Sequence, residues 1–286
     1  MLFRSEMLGI KTPVSAKGIV LILIFILLIT LLINKNSQSL MRFMVGQEVN
    51  LKTANFSQYQ SEHYDIKYTS VDQPYLKLIA GVAEDAYDSV SSMFGQKPGN
   101  RTVIVVYPDS SSLSQSFGWD KDANAMGVYW AGSIRILSPR EWLGEEDMQL
   151  YFAREGPMVH EFAHLMVDEI SQGNYNRWWT EGIAQYVEKK ITGFEFSSPF
   201  ARDQKVEYYP LKQLGKRFDK LDQSIAYWES LQAAEYIAQR YGEDSLFSIT
   251  RQLGQGKSLE QAIEIVLSIP YTEWEEDFYR YITKEA

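Results

Sequence analysis

His160, Glu161 and His164 are the residues of this chain whose types and spacing could do chemistry. They stand as H-E-x-x-H and hold two of only three histidines in 286 residues. Positions four apart share one face of a helix, so both imidazoles can reach one metal ion. Glu161 follows the first imidazole and is placed to act as general base toward a water polarised by that ion. The third histidine, His63, is remote in sequence. A catalytic zinc takes three protein ligands and keeps one position open. The segment Trp178-Trp179-Thr180-Glu181-Gly182-Ile183-Ala184-Gln185-Tyr186 offers the third ligand. Thr180 reads as a cap, which puts Glu181 in the first turn of a second helix. Asp168, four residues past His164, is an alternative third ligand or an outer acceptor.

Composition narrows the reading. The formal net charge of −9 argues against nucleic acid as a partner, because phosphate contacts need a basic surface. Cysteine is absent, so neither a disulfide framework nor a thiolate ligand or nucleophile is available. Hydrophobic residues at 45% and aromatics at 14% describe a globular chain with a sizeable core.

Segment by segment, the run Gly18–Ile33 is uncharged, and no small-residue cleavage site follows it. It predicts a transmembrane signal-anchor over 18–34 after a cytoplasmic tail over 1–17. A short N-terminal tail ordinarily stays inside, so the expected location is the cell membrane, single-pass, with the remainder extracytoplasmic. Asn36–Glu62 is polar and weakly patterned, which predicts a stalk over 35–62 ahead of one domain over 63–286.

The elements that must position the H-E-x-x-H run follow from periodicity and punctuation. His63–Ser70 alternates as a strand, and Tyr75–Phe94 has helical spacing ending at Gly95. Thr102–Tyr107 reads as a buried strand, and Ala125–Trp130 and Ser133–Ser138 as a strand pair about Ala131-Gly132. Pro157 suits the first turn of the motif helix and Gly173 its stop. From Asp222 onward the pattern is helical, with Ser258/Gln261 and Thr272/Glu275 matching capping boxes. Strands first and helices after give an α+β class.

H-E-x-x-H followed by Trp179, Glu181, Gly182 and Ala184 in the pattern W-x-E-G-x-A resembles the gluzincin metallopeptidases. The nearest likeness is the bacterial peptidase MA-like domain, with aminopeptidase N more distant, and it spans about 63–286. The resemblance implies a thermolysin-like fold, a small mixed-sheet lobe plus a helical C-terminal lobe with the metal between them. It implies Zn2+ held by His160, His164 and Glu181, Glu161 as base, and a peptide or protein substrate. An edge strand, Gly127–Trp130 or Ser133–Leu137, would pair with an extended peptide. The G-x-M-E-N segment that binds the free amine in aminopeptidase N relatives is missing, so the reading is an endopeptidase. Those relatives stabilise the oxyanion with a tyrosine. Tyr227, in Y-W-E-S-L-Q-A, lies in the comparable place, with Tyr186, Tyr208 and Tyr209 as alternatives. Gln185 is a weaker candidate for supporting the site, and the Trp178-Trp179 pair reads as packing. The competing classes are a non-catalytic extracytoplasmic binding or sensing module on the same scaffold, and cleavage of peptidoglycan peptides.

Overall fold

A computed structural model of the chain describes residues 37–119, 125–200 and 207–283. The expected tail and signal-anchor, 1–17 and 18–34, lie outside them. Among the described residues no helix is long and apolar enough to cross a membrane. Met44–Ala286 forms one compact unit; of the other unit, Met1–Phe43, only helical residues from Ser37 onward are described.

The compact unit contains a sheet of five strands: β1 (Ser57–Gln60), β2 (Tyr64–Tyr68), β3 (Thr102–Tyr107), β4 (Gly127–Trp130) and β5 (Ser133–Leu137), in the order β1-β2-β3-β5-β4. β3 runs parallel to both β2 and β5, while β1 and β4 are antiparallel edges. The central strands are buried on both faces, which is why T-V-I-V-V-Y is an unbroken apolar run. Alternation then sorts it. Ile104 and Val106 join Ile66, Ile134 and Ile136 in the main core, while Val105 and Tyr107 turn to the opposite face with Leu137.

The crossover from β2 to β3 carries helix α2 (Leu76–Phe94), which ends at Gly95 with φ 65°, the left-handed conformation that glycine adopts freely. Its apolar stripe, Ile79, Ala83, Ala86 and Val90, enters the main core. Helices α3 (Ser110–Phe117) and α4 (Met148–Glu155) precede the motif helix α5 (Met158–Ser171). Beyond it come α6 (Arg177–Thr192), α7 (Leu211–Arg217), α8 (Gln223–Tyr241), α9 (Asp244–Gly254), α10 (Leu259–Leu267) and α11 (Tyr271–Ile282). The strands are thus interleaved with helices as far as Leu137, and beyond it the described regular elements are all helical.

Three local readings need correction. Residues 44–62 are folded onto the unit and do not form a stalk. Helix α1 (Ser37–Lys52) buries Val45 and Val49 with Val105, Tyr107, Leu113 and Leu137, and β1 extends the sheet. Two valines and a strand exposed at all four positions leave little hydrophobic pattern to read. Helix α6 begins at Arg177, with Asn176 at its N-cap, so Thr180 is inside the helix. The box at Ser258/Gln261 forms, but Thr272 does not cap, because α11 starts at Tyr271 after Pro270.

Candidate metal centre

His160 and His164 project from the same face of α5, and their Nε2 atoms are 3.1 Å apart. Glu181, from the second turn of α6, brings Oε2 to 3.5 Å from His160 Nε2 and 3.4 Å from His164 Nε2. The three side chains form the group that could hold a metal ion among the described residues. A tetrahedral zinc with bonds of ~2.0–2.2 Å spaces its donors about 3.3–3.6 Å apart, so this triangle is close to the size of one face of such a site. Glu181 Oε2 is buried and has no hydrogen-bond partner. A buried, unpaired carboxylate oxygen is costly unless a cation meets it. The residues present therefore fit a zinc ion.

The outer nitrogens of both rings are occupied. His160 Nδ1 lies 3.0 Å from Glu188 Oε2, and His164 Nδ1 lies 2.7 Å from Thr180 Oγ1. With Nδ1–H donated outward, each Nε2 keeps its lone pair for the centre. Without an ion the same geometry holds protons. Burial lowers the proton affinity of His160, but the carboxylates of Glu181 and Glu188 beside it outweigh burial and hold its pKa well above the usual histidine value. Burial alone would raise Glu181, but the two imidazoles hold it well below the usual carboxylate range.

Glu161 sits beside this triangle. It is 6% exposed, and burial raises its pKa. Its Oε2 accepts the Tyr129 N–H at 2.5 Å. The contact requires β4 to lie against the start of α5, and glycine makes that possible. A Cβ on Gly127 would fall 2.4 Å from Pro157 Cβ and 3.0 Å from Glu161 Cγ. The Tyr129 hydroxyl donates to Asp168 Oδ2 at 2.6 Å and accepts from Gly132 N–H at 2.9 Å. Asp168 is thus outside the triangle; it holds the edge strand and does not join the ligand group. Of the two candidate edge strands, β4 is the edge and β5 is interior.

Tyr227, from α8, is brought to the centre. Its hydroxyl is 3.2 Å from Glu181 Oε1 and accepts from Arg177 Nη2 at 3.3 Å. Burial raises its pKa beyond the usual phenol value. Gln185 donates to the Tyr227 carbonyl at 2.9 Å, so it steadies that residue. The other tyrosines are elsewhere: Tyr186 bonds Glu243, Tyr208 stacks on Tyr279, and Tyr209 donates its N–H to Glu229. Gly182 explains itself through packing, since a Cβ there would meet the Ser230 carbonyl oxygen at 2.3 Å and push α6 off α8. Trp178 and Trp179 are core residues at 2% and 1% exposure.

Sequence reasoning missed Arg177, Glu188 and Tyr129 and misread Thr180. Arg177 stands four residues before Glu181, an i,i+4 ion pair that spacing could have flagged. Glu188 lies two turns after Glu181 on the same helical face, a weaker signal. Tyr129 acts through its backbone N–H, which no side-chain pattern reveals.

A family model described as the peptidase MA superfamily matches residues 82–284, and the chain belongs to that superfamily. Among solved structures, it is similar to a two-domain M1 zinc metallopeptidase, a mutant crystallised with L-arginine, at 15% identity and a TM-score of 0.46. That likeness covers 79% of this chain and 50% of the other, so the chain spans about half of the M1 protein's length. No curated protein matches the chain.

Proposed function

We propose that this chain is a zinc-dependent peptidase that hydrolyses peptide bonds within polypeptides, held to the membrane by the run Gly18–Ile33. The observation that carries the reading is the triangle of His160, His164 and Glu181, with both imidazoles backed by acceptors and the buried carboxylate of Glu161 beside it. A zinc ion bound there would supply a Lewis acid for the scissile carbonyl and for water. The chain's own residues do the rest. Glu161 takes a proton from the attacking water on its carboxylate and returns it to the leaving nitrogen. Burial, which raises its proton affinity, suits a base working near neutral pH. The Tyr227 hydroxyl, beside Glu181, is the group we assign as donor to the oxyanion.

Strand β4 supports an extended substrate. Met126 accepts the Leu137 N–H, so along this antiparallel ladder Gly127 and Tyr129 turn their backbone groups away from β5. The Tyr129 N–H is taken by Glu161, so a peptide laid along that edge would be held through the remaining main-chain groups, whatever its sequence. With the missing amine-binding segment, this favours cleavage inside a chain. The membrane anchor and an extracytoplasmic site rest on the composition of 1–36 alone.

The test is zinc content and peptide turnover of the parent and of Glu161→Gln. The variant should keep zinc and lose turnover by at least ~10²–10⁴-fold. Unchanged turnover in zinc-loaded Glu161→Gln sinks the mechanism, and a zinc-loaded parent that cleaves nothing would make the protein a binding module. Protease added to intact cells, or to protoplasts, should remove the domain; its protection until lysis overturns the topology.

A further inference from the structure

Glu181 offers its two oxygens to different partners. Oε2 faces the imidazoles, while Oε1 accepts from Arg177 Nε at 3.3 Å and from the Tyr227 hydroxyl at 3.2 Å. A glutamate's terminal torsion is broad and poorly fixed by itself, so something must choose which oxygen points inward. Arg177 stands one turn before Glu181, and its guanidinium is held in turn. It pairs through Nη1 with Asp219 at 3.0 Å and lies 5.6 Å from the Phe218 ring centroid. Its Nη2 reaches the Tyr227 oxygen at 3.3 Å, so one planar fork touches both groups around Oε1. The Arg177 side chain is 49% exposed and that of Glu181 only 6%, so the hold is applied from the solvent side onto a buried carboxylate.

We propose that Arg177 is a positioning residue: its guanidinium, together with Tyr227, holds Oε1 of Glu181 outward so that Oε2 alone is offered to the metal. The proposal rests on the zinc reading above. It makes a prediction of sign. A cation close to a divalent ion repels it, so if Arg177 acted through charge alone, its removal would tighten zinc binding. If it acts by orienting the carboxylate, removal weakens binding.

The experiment is zinc affinity of the full-length chain by chelator competition at fixed pH. Arg177→Met should bind zinc ~10–100-fold more weakly, the range for loss of an outer partner of a ligand. Arg177→Lys should recover part of the loss, because it keeps a donor but not the fork. Cobalt(II) in place of zinc gives a second readout. A freed Oε1 would join the ion, so the visible absorption of cobalt-loaded Arg177→Met should change in intensity, which a purely structural contact would not cause. Tyr227→Phe removes the other hold with little change of shape and should weaken zinc by a smaller factor; it decides the question if Arg177→Met does not fold. Unchanged or tighter zinc binding in the variant that folds overturns the proposal. That outcome would leave zinc content and turnover of the parent intact, whereas failure of the peptidase reading would show in the parent itself.

Discussion

Helices α5 and α6 both feed the centre, but they do so differently. α5 presents two imidazoles and a base within five consecutive residues, all aimed at the reacting space. α6 presents one carboxylate and then spends Thr180 and Glu188 on the far side of the two rings that α5 supplies. It also carries Gly182, where it touches α8. Donors must converge on a point, which forces a fixed spacing. Supporting groups need only reach a ring nitrogen from behind, and several spacings satisfy that.

The comparison can be broken most severely at α5. Glu161→Gln should reduce turnover ~10²–10⁴-fold with zinc retained, since the amide keeps the shape but accepts no proton. Next, at α6, Glu188→Gln and Thr180→Val should each weaken zinc binding ~10–100-fold, measured by chelator competition. An equal loss of turnover at saturating zinc would show that these residues do more than support. Gly182→Ala should destabilise the fold by ~1–3 kcal/mol in chemical denaturation, because the added carbon drives α6 from the Ser230 carbonyl.

A pH test sharpens the role of α8, which carries Tyr227. Burial pushes Glu229 up to about 8, against an ordinary value of 4.5. The folded chain keeps that proton after the unfolded chain has lost it. Its contribution to stability is therefore complete below about pH 4.5 and is lost as pH rises to about 8. Glu229→Gln should remove a slope of at most ~1.4 kcal/mol per pH unit over that window. Identical pH-stability curves for parent and variant would show that the carboxyl ionises freely. The smallest effect belongs to Tyr129→Phe, which keeps the N–H on Glu161 but loses the bonds to Asp168 and from the Gly132 N–H. About 0.5–1.5 kcal/mol of stability is expected to go.

Much of this is legible in the amino-acid sequence alone. The i,i+4 histidines, the buried strand Thr102–Tyr107 and the helix ending at Gly95 follow from local periodicity, and the structure keeps each of them. Glu181 was readable because W-x-E-G repeats a known pattern. What failed were readings in which a polar residue had two plausible uses. Thr180 is a good cap by type, yet the buried pair Trp178-Trp179 starts the helix earlier and frees its hydroxyl for His164. Asp168, which the sequence leaves open between ligand and outer acceptor, accepts the Tyr129 hydroxyl outside the ligand group. Residues 44–62 looked unstructured because tertiary contacts, not local pattern, fix them.

Tyr129 can also be seen as a mechanical part. One residue of β4 grips α5 twice, by its amide at Glu161 and by its phenol at Asp168. Those points are seven residues apart, about 10 Å along the axis at ~1.5 Å per residue. Two attachments separated along a rod resist its rolling, where one would act as a pivot. His160 and His164 ride the same rod, so a roll of α5 would swing both rings past Glu181 together. The strand works as a torque arm that adds to the packing of α5 in resisting a roll, and it does so through a residue that contributes no ligand to the centre.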